Sequence, residues 1–112
     1  MSFINNRDAL KGVLGKGTRF EGKLLFEGHL RVEGQFLGEI FTRDQITLTE
    51  TAQVKADIKA NIVNIFGVFQ GNIEADEKIV VGSEAIVKGK ITAPNIEIEK
   101  GGVVDGQTQV RV

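Results

Sequence analysis

The sequence predicts an all-β, single-domain parallel β-helix of about six rungs, and three observations carry that expectation. Glycine is abundant and proline almost absent, 14 against 1 in 112 residues. Two interleaved columns of apolar residues recur along the chain with the same spacing. After Gly17 no stretch shows the 3.6-residue periodicity of an amphipathic helix. A chain of this length supports one core and is too short for two.

The first column is an apolar-x-small-x-apolar pattern. It occurs as Phe20/Gly22/Leu24, Phe36/Gly38/Ile40, Val54/Ala56/Ile58, Phe69/Gly71/Ile73 and Val87/Gly89/Ile91, with a degenerate sixth copy at Val104/Gly106/Thr108. Successive copies start 16, 18, 15, 18 and 17 residues apart. Apolar residues at i and i+4 around a small residue at i+2 follow strand alternation, and the β-branched content suits a pleated surface. The second column runs Leu30/Val32, Ile46/Leu48, Val63/Ile65, Ile79/Val81 and Ile96/Ile98, stepping by 16, 17, 16 and 17. A unit of short strands cannot bury its apolar face alone, so the units must stack. About 17 residues give roughly 55 Å of extended chain, which three short sides with corners fold into a triangular coil. Six coils at about 4.8 Å make a solenoid of roughly 25–30 Å.

Gly22, Gly38, Gly71, Gly89 and Gly106 share parity with the apolar residues beside them, so in a straight strand they point inward. With Ala56 in the same column, the expectation is selection for small inward size rather than for a left-handed backbone. Gly28, Gly34, Gly67, Gly82, Gly101 and Gly102 are expected at other corners, and Pro94 falls between two strands, where no ladder hydrogen bond is lost. Residues between the inward ones, such as Lys55, Asp57, Lys88 and Lys90, mix signs on the walls.

Composition weighs against several function classes. The chain has no Cys, hence no disulfide framework, thiolate metal site or cysteine nucleophile. Fourteen basic against fifteen acidic residues give a net charge of −1, so no general basic field draws nucleic acid. No apolar run reaches the roughly 20 residues of a membrane-spanning helix, and the opening residues lack a signal-peptide core; a cytoplasmic address is expected. His29 is the single histidine and sits next to the corner Gly28, where a solvated imidazole is expected. Ser2 and Ser83 are the only serines, and Asp57, Glu74, Asp76 and Glu77 are expected on solvated faces, so no catalytic residue is assigned. Gly15-Lys16-Gly17-Thr18 departs from a phosphate loop because Gly17 separates Lys from Thr and a strand follows, so no nucleotide, cofactor or metal site is assigned. The spacing drift also departs from the strict hexapeptide rhythm of left-handed β-helix acyltransferases, and Thr42, Thr47, Thr49 and Thr51 form no ladder over successive rungs.

A β-helix has two open ends that need caps or partners. The expected domain covers residues 17–112, and no polar cap follows its last rung. Phe20, Leu24 and Leu30 near one end and Val104, Val110 and Val112 near the other are the expected polymerisation contacts. Residues 1–16 are expected as a separate N-terminal segment. There Phe3 and Ile4 are candidates for membrane targeting, and Leu10, Val13 and Leu14 for a short amphipathic turn. The alternative is a β-helix binding module that engages a protein or polysaccharide on its flat faces without polymerising.

Leu14-Gly-Lys-Gly-Thr-Arg-Phe-Glu-Gly22, Leu30-Arg-Val-Glu-Gly34 and Ala85-Ile-Val-Lys-Gly-Lys-Ile-Thr-Ala93 with Ile96-Glu-Ile98 resemble, in order and spacing, the motifs of the bactofilins. The resemblance spans about Gly15 to Gly106. It implies a right-handed, triangular β-helix that assembles without nucleotide into non-polar filaments. It further implies a bacterial cytoskeletal scaffold at the inner face of the cell membrane, localising cell-wall enzymes such as peptidases. A short apolar N-terminal motif is common in that family, and Phe3 with Ile4 is similar to it. Two features depart from the family: long flexible tails are nearly absent here, and the last coil carries Val103, Val104 and Val110 where bulky aromatics are common.

Overall fold

The computed structural model describes residues 10–110, and in them ten strands form one continuous sheet. The strands are β1 (Leu10–Leu14), β2 (Arg19–Phe26), β3 (His29–Val32), β4 (Gln35–Thr42), β5 (Gln45–Leu48), β6 (Gln53–Ile65), β7 (Val68–Val81), β8 (Ile86–Ala93), β9 (Asn95–Ile98) and β10 (Val103–Val110). Every pairing is parallel and joins one turn of chain to the next, which makes the domain a parallel β-solenoid of about six turns. Both expected columns appear as registers. Phe20, Phe36, Val54, Phe69, Val87 and Val104 stack in one file. Leu30, Ile46, Val63, Ile79 and Ile96 stack in another.

Each turn consists of a long arm of eight residues and a short arm of four. In β6 and β7 the two arms run on as one strand through a corner, marked in their mutual register by a shift between Ala60 and Ile62. The arms are constant, and the spacing drift resides wholly in the corners. Corners 15–18, 49–52, 82–85 and 99–102 hold four residues closed by a backbone hydrogen bond from the fourth to the first, whereas 33–34 and 66–67 hold two. The other corner holds two residues at 27–28, 43–44 and 76–77, and one at Asn61 and Pro94.

The interior is a closed apolar file. Phe36, Phe69, Ile46, Leu48, Ile65 and Ile79 are fully buried, and the Phe20 and Phe36 rings stack 5.1 Å apart at 9°. Burying each such side chain contributes about 1.5–3 kcal/mol. Thr42 is the one polar residue in the core among the described residues, and its hydroxyl donates to the Gly28 carbonyl and accepts from the Asp44 amide.

The structure corrects three expectations. Residues 10–14 form strand β1, in register with β3 (Gly12 opposite Leu30, Leu14 opposite Val32), so the solenoid begins inside the segment expected to stand apart, and Val13 and Leu14 lie on a strand rather than a helical turn. The cause is pairing: once His29–Val32 offers an edge, a short stretch with a glycine at its centre gains more from the ladder than from an isolated helical turn. The glycine column is set by the backbone and not by inward size. Gly22, Gly38, Gly71, Gly89 and Gly106 take φ between +127° and +144°, and a Cβ on Gly71 would lie 2.1 Å from the Ala56 carbonyl oxygen of the turn below. The positive φ falls within an unbroken ladder, at a place where only a residue without a Cβ tolerates so close an approach of the neighbouring backbone. Ala56, opposite Gly38 and Gly71, keeps an ordinary φ. His29, expected at a solvated corner, opens β3 instead, half-buried with Nε2 2.9 Å from Thr47 Oγ1.

Candidate functional site: the open ends

The two ends of the solenoid are built differently. At the N-terminal end β1 covers β3, so Leu30 is 2% exposed and lies beneath a strand rather than on an end face. Leu30 therefore leaves the set of contact residues, because the half-turn 10–14 had no readable place in the repeat. Leu24 is likewise buried, while Phe20 and Phe26 are partly covered and pack on the core together with Leu14. The Phe26 ring fills the space beside Gly12, with Cζ only 2.7 Å from where a Cβ would sit. Among the described residues, the outer edge of β2 has no strand on it.

At the C-terminal end nothing among the described residues follows β9 and β10, which pair only with β7 and β8 beneath them. Residues whose equivalents one turn earlier are sealed become exposed here: Ile98 to 48% and Val110 to 61%, with Val104 and Ile96 half-covered. Val104 and Val110 thus stand at this end as expected. Val112, Phe3 and Ile4 lie outside the described residues. Ile96 and Ile98 were missed as end residues, although the repeat carries the signal: theirs is the last copy of the second column and has no successor.

The walls are mixed in charge and carry several ion pairs between neighbouring turns. A shallow groove of about 620 Å³ follows the wall carrying Lys23, Glu39, Phe41, Asp57, Lys59 and Glu74. In it Lys23 lies 3.9 Å from Glu39, Lys59 lies 3.9 Å from Glu74, and the Asn72 amide donates to Asp57 at 3.1 Å. Exposed pairs of this kind contribute at most about 1 kcal/mol each and serve solubility. His29 is held below its ordinary pKa by burial and by the Arg31 guanidinium, and its Nε2 shares a hydrogen bond with the Thr47 hydroxyl. Among the described residues no three His, Asp or Glu side chains converge as a metal site, and no helix is long and apolar enough to cross a membrane.

A solenoid of uniform turns with an open apolar end accords with the family whose profile matches residues 12–109, described as bactofilin, polymer-forming cytoskeletal. The chain belongs to the bactofilin family. It is 29% identical over 98 residues to bactofilin BacO of Myxococcus xanthus, covering 88% of this chain and 78% of that protein. Bactofilin BacP of the same organism is 28% identical over 98 residues, again 88% of this chain but 41% of BacP. Bactofilin BacN is 39% identical over 49 residues, 44% of this chain and 43% of BacN. No solved structure matches. Membership makes this a cytoskeletal protein of a polymer-forming family.

Proposed function

We propose that this chain is the structural subunit of a bacterial cytoskeletal filament, not an enzyme, and that it assembles end to end without nucleotide into non-polar filaments. The observation that carries the reading is the open C-terminal turn. Among the described residues its edges, β9 and β10, leave Ile98 and Val110 in solvent and Ile96 and Val104 half-covered, although their equivalents inside the solenoid are buried. Covering such a slice recovers several kcal/mol of apolar burial and satisfies a row of backbone groups. In this reading the filament lies at the inner face of the cell membrane, anchored through Phe3 and Ile4, where many copies multiply a weak lipid affinity, and it positions cell-wall factors such as peptidases.

Electron microscopy of the purified protein, with and without nucleotide, tests assembly. Filaments in both conditions are expected, and monodisperse particles at high concentration refute it. Val104→Arg is expected to abolish filaments while the circular dichroism spectrum stays β-rich. Sedimentation with anionic liposomes tests the anchor: deleting residues 1–4 is expected to abolish binding, and undiminished binding refutes that part.

A further inference from the structure

We propose that the outward face of the long arm, in the C-terminal half of the solenoid, docks an amphipathic helix of a partner protein that lies along the solenoid axis and is acidic on one flank. The inference gives the scaffold reading above a partner of defined chemistry, and it concerns a wall of the solenoid and neither end.

An outward column changes character halfway along the solenoid. Arg19, Gln35, Gln53, Val68, Ile86 and Val103 stand in register on successive turns, all exposed. The first three are polar; the last three are apolar and β-branched, with 42%, 40% and 50% of their surface in solvent. They add nothing to the interior, which their inward neighbours Phe69 and Val87 fill. Phe66 extends the stripe at the corner before Val68, half-exposed, with its ring lying over Gly82. Single exposed apolar residues are ordinary, whereas a contiguous stripe marks a contact surface. The other exposed apolar pair on a long arm, Leu25 and Phe41, is already engaged: Lys59 Nζ lies 6.0 Å from the Phe41 ring centroid.

Area, pitch and charge choose the occupant. The four side chains offer on the order of 300 Å² of apolar surface, against the about 800 Å² that each partner of a stable dimer buries, which suits a short segment. The stripe crosses the strands, so a segment covers it only by lying along the axis, where turns repeat every 4.8 Å or about that. An α-helix presents one residue per turn on a face every 5.4 Å or so, whereas an extended strand presents one about every 6.7 Å and falls out of step by the third rung. A helix with apolar residues at i, i+4 and i+7 therefore sets one on each of Val68, Ile86 and Val103.

Two residues further along each arm the neighbouring column carries Lys55, Gln70 and Lys88. Among the described residues neither lysine closes an ion pair, whereas Lys23, Lys59 and Lys78 on the other walls each have one. Asp105 stands opposite Lys88 on the last turn without forming one. Lys55 and Lys88 are two turns apart, about 9.6 Å, and helix residues seven apart are separated by about 10.5 Å, so two acidic residues on one flank meet both. An anionic lipid surface fits less well, because Glu84 and Glu99 in the corners beside the stripe would face the same headgroups.

The probe is a fluorescein-labelled, amidated helix of about 18 alanines and glutamines, with leucine at i, i+4, i+7 and i+11 and glutamate at two flank positions seven apart. A second peptide carries lysine for glutamate. Fluorescence anisotropy with the full chain is expected to show the glutamate peptide binding about tenfold tighter at low salt, a preference that added salt narrows. Val68→Thr/Ile86→Thr is expected to weaken binding about tenfold with Tm unchanged, and Leu25→Thr to leave it unaltered. Equal affinity for both peptides, or affinity undiminished in Val68→Thr/Ile86→Thr, overturns the proposal. So does binding of phosphatidylglycerol vesicles to a chain lacking residues 1–4 that the same double substitution abolishes, since the stripe then belongs to lipid. Should that variant not fold, Lys55→Gln/Lys88→Gln decides: the glutamate preference is expected to vanish, and its persistence overturns the proposal. Electron microscopy of the same samples reads filament formation separately, so failure of docking and failure of assembly are distinguishable.

Discussion

Replacing Gly71 by alanine separates a backbone requirement from a size requirement. If the column merely needed small inward residues, alanine would be tolerated, since Ala56 stands directly opposite. The structure predicts otherwise. Gly71 has φ +134°, a conformation costing an L-residue about 1–2 kcal/mol. The added Cβ would also stand 2.1 Å from the Ala56 carbonyl oxygen, so the rungs must part and weaken at least one ladder hydrogen bond, about 1 kcal/mol more. The sum is about 2–3 kcal/mol, or a fall in Tm of about 8–12 °C for a chain of this size. Urea and thermal melts are best followed in a Val104→Arg background, so that unfolding is not coupled to assembly. The reciprocal Ala56→Gly should cost about 1–2 kcal/mol, from chain entropy and a lost buried methyl. A Gly71→Ala shift below about 2 °C would refute the backbone account.

Phe36→Ala, which empties a fully buried site and removes the stack on Phe20, should cost about 3–5 kcal/mol in urea denaturation. His29 gives stability a pH dependence of defined sign. Burial and Arg31 lower its pKa, so the fold prefers the neutral ring, and its contribution is complete above about pH 6.5 and declines as pH falls below that value. His29→Asn should flatten that slope in melts run from pH 7.5 to 5. Inserting two residues into the corner at 33–34 should shift Tm by only a few degrees, because alternate turns already carry four there. The same insertion after Ile58 should abolish cooperative melting, because it slips the register of a long arm.

The columns were legible because strand alternation and turn spacing act on every copy. The inward residues of β2 to β9 could be named from Phe20, Leu24, Leu30 and their successors. The half-turn β1 was not legible, because Gly12 stands where other turns carry Leu30, Ile46 or Val63, and one apolar match at Leu14 does not make a copy. The glycine conformation was missed because parity presumes ordinary extended dihedrals, and a positive φ invalidates that presumption at the residue itself. Of the end residues, Val104 and Val110 followed from being last in their files. Leu30 failed because the strand covering it lies in a segment without repeat phase.

The corners absorb all variation in turn length while the arms stay at eight and four residues. Cross-section is thereby independent of how many residues a turn contains. A lineage can graft or trim peptide at a corner, altering what the rod's flank displays, without disturbing the faces at which subunits would meet. Decoration and connection are separate inheritable traits in this molecule. Each further turn adds about 4.8 Å of rise.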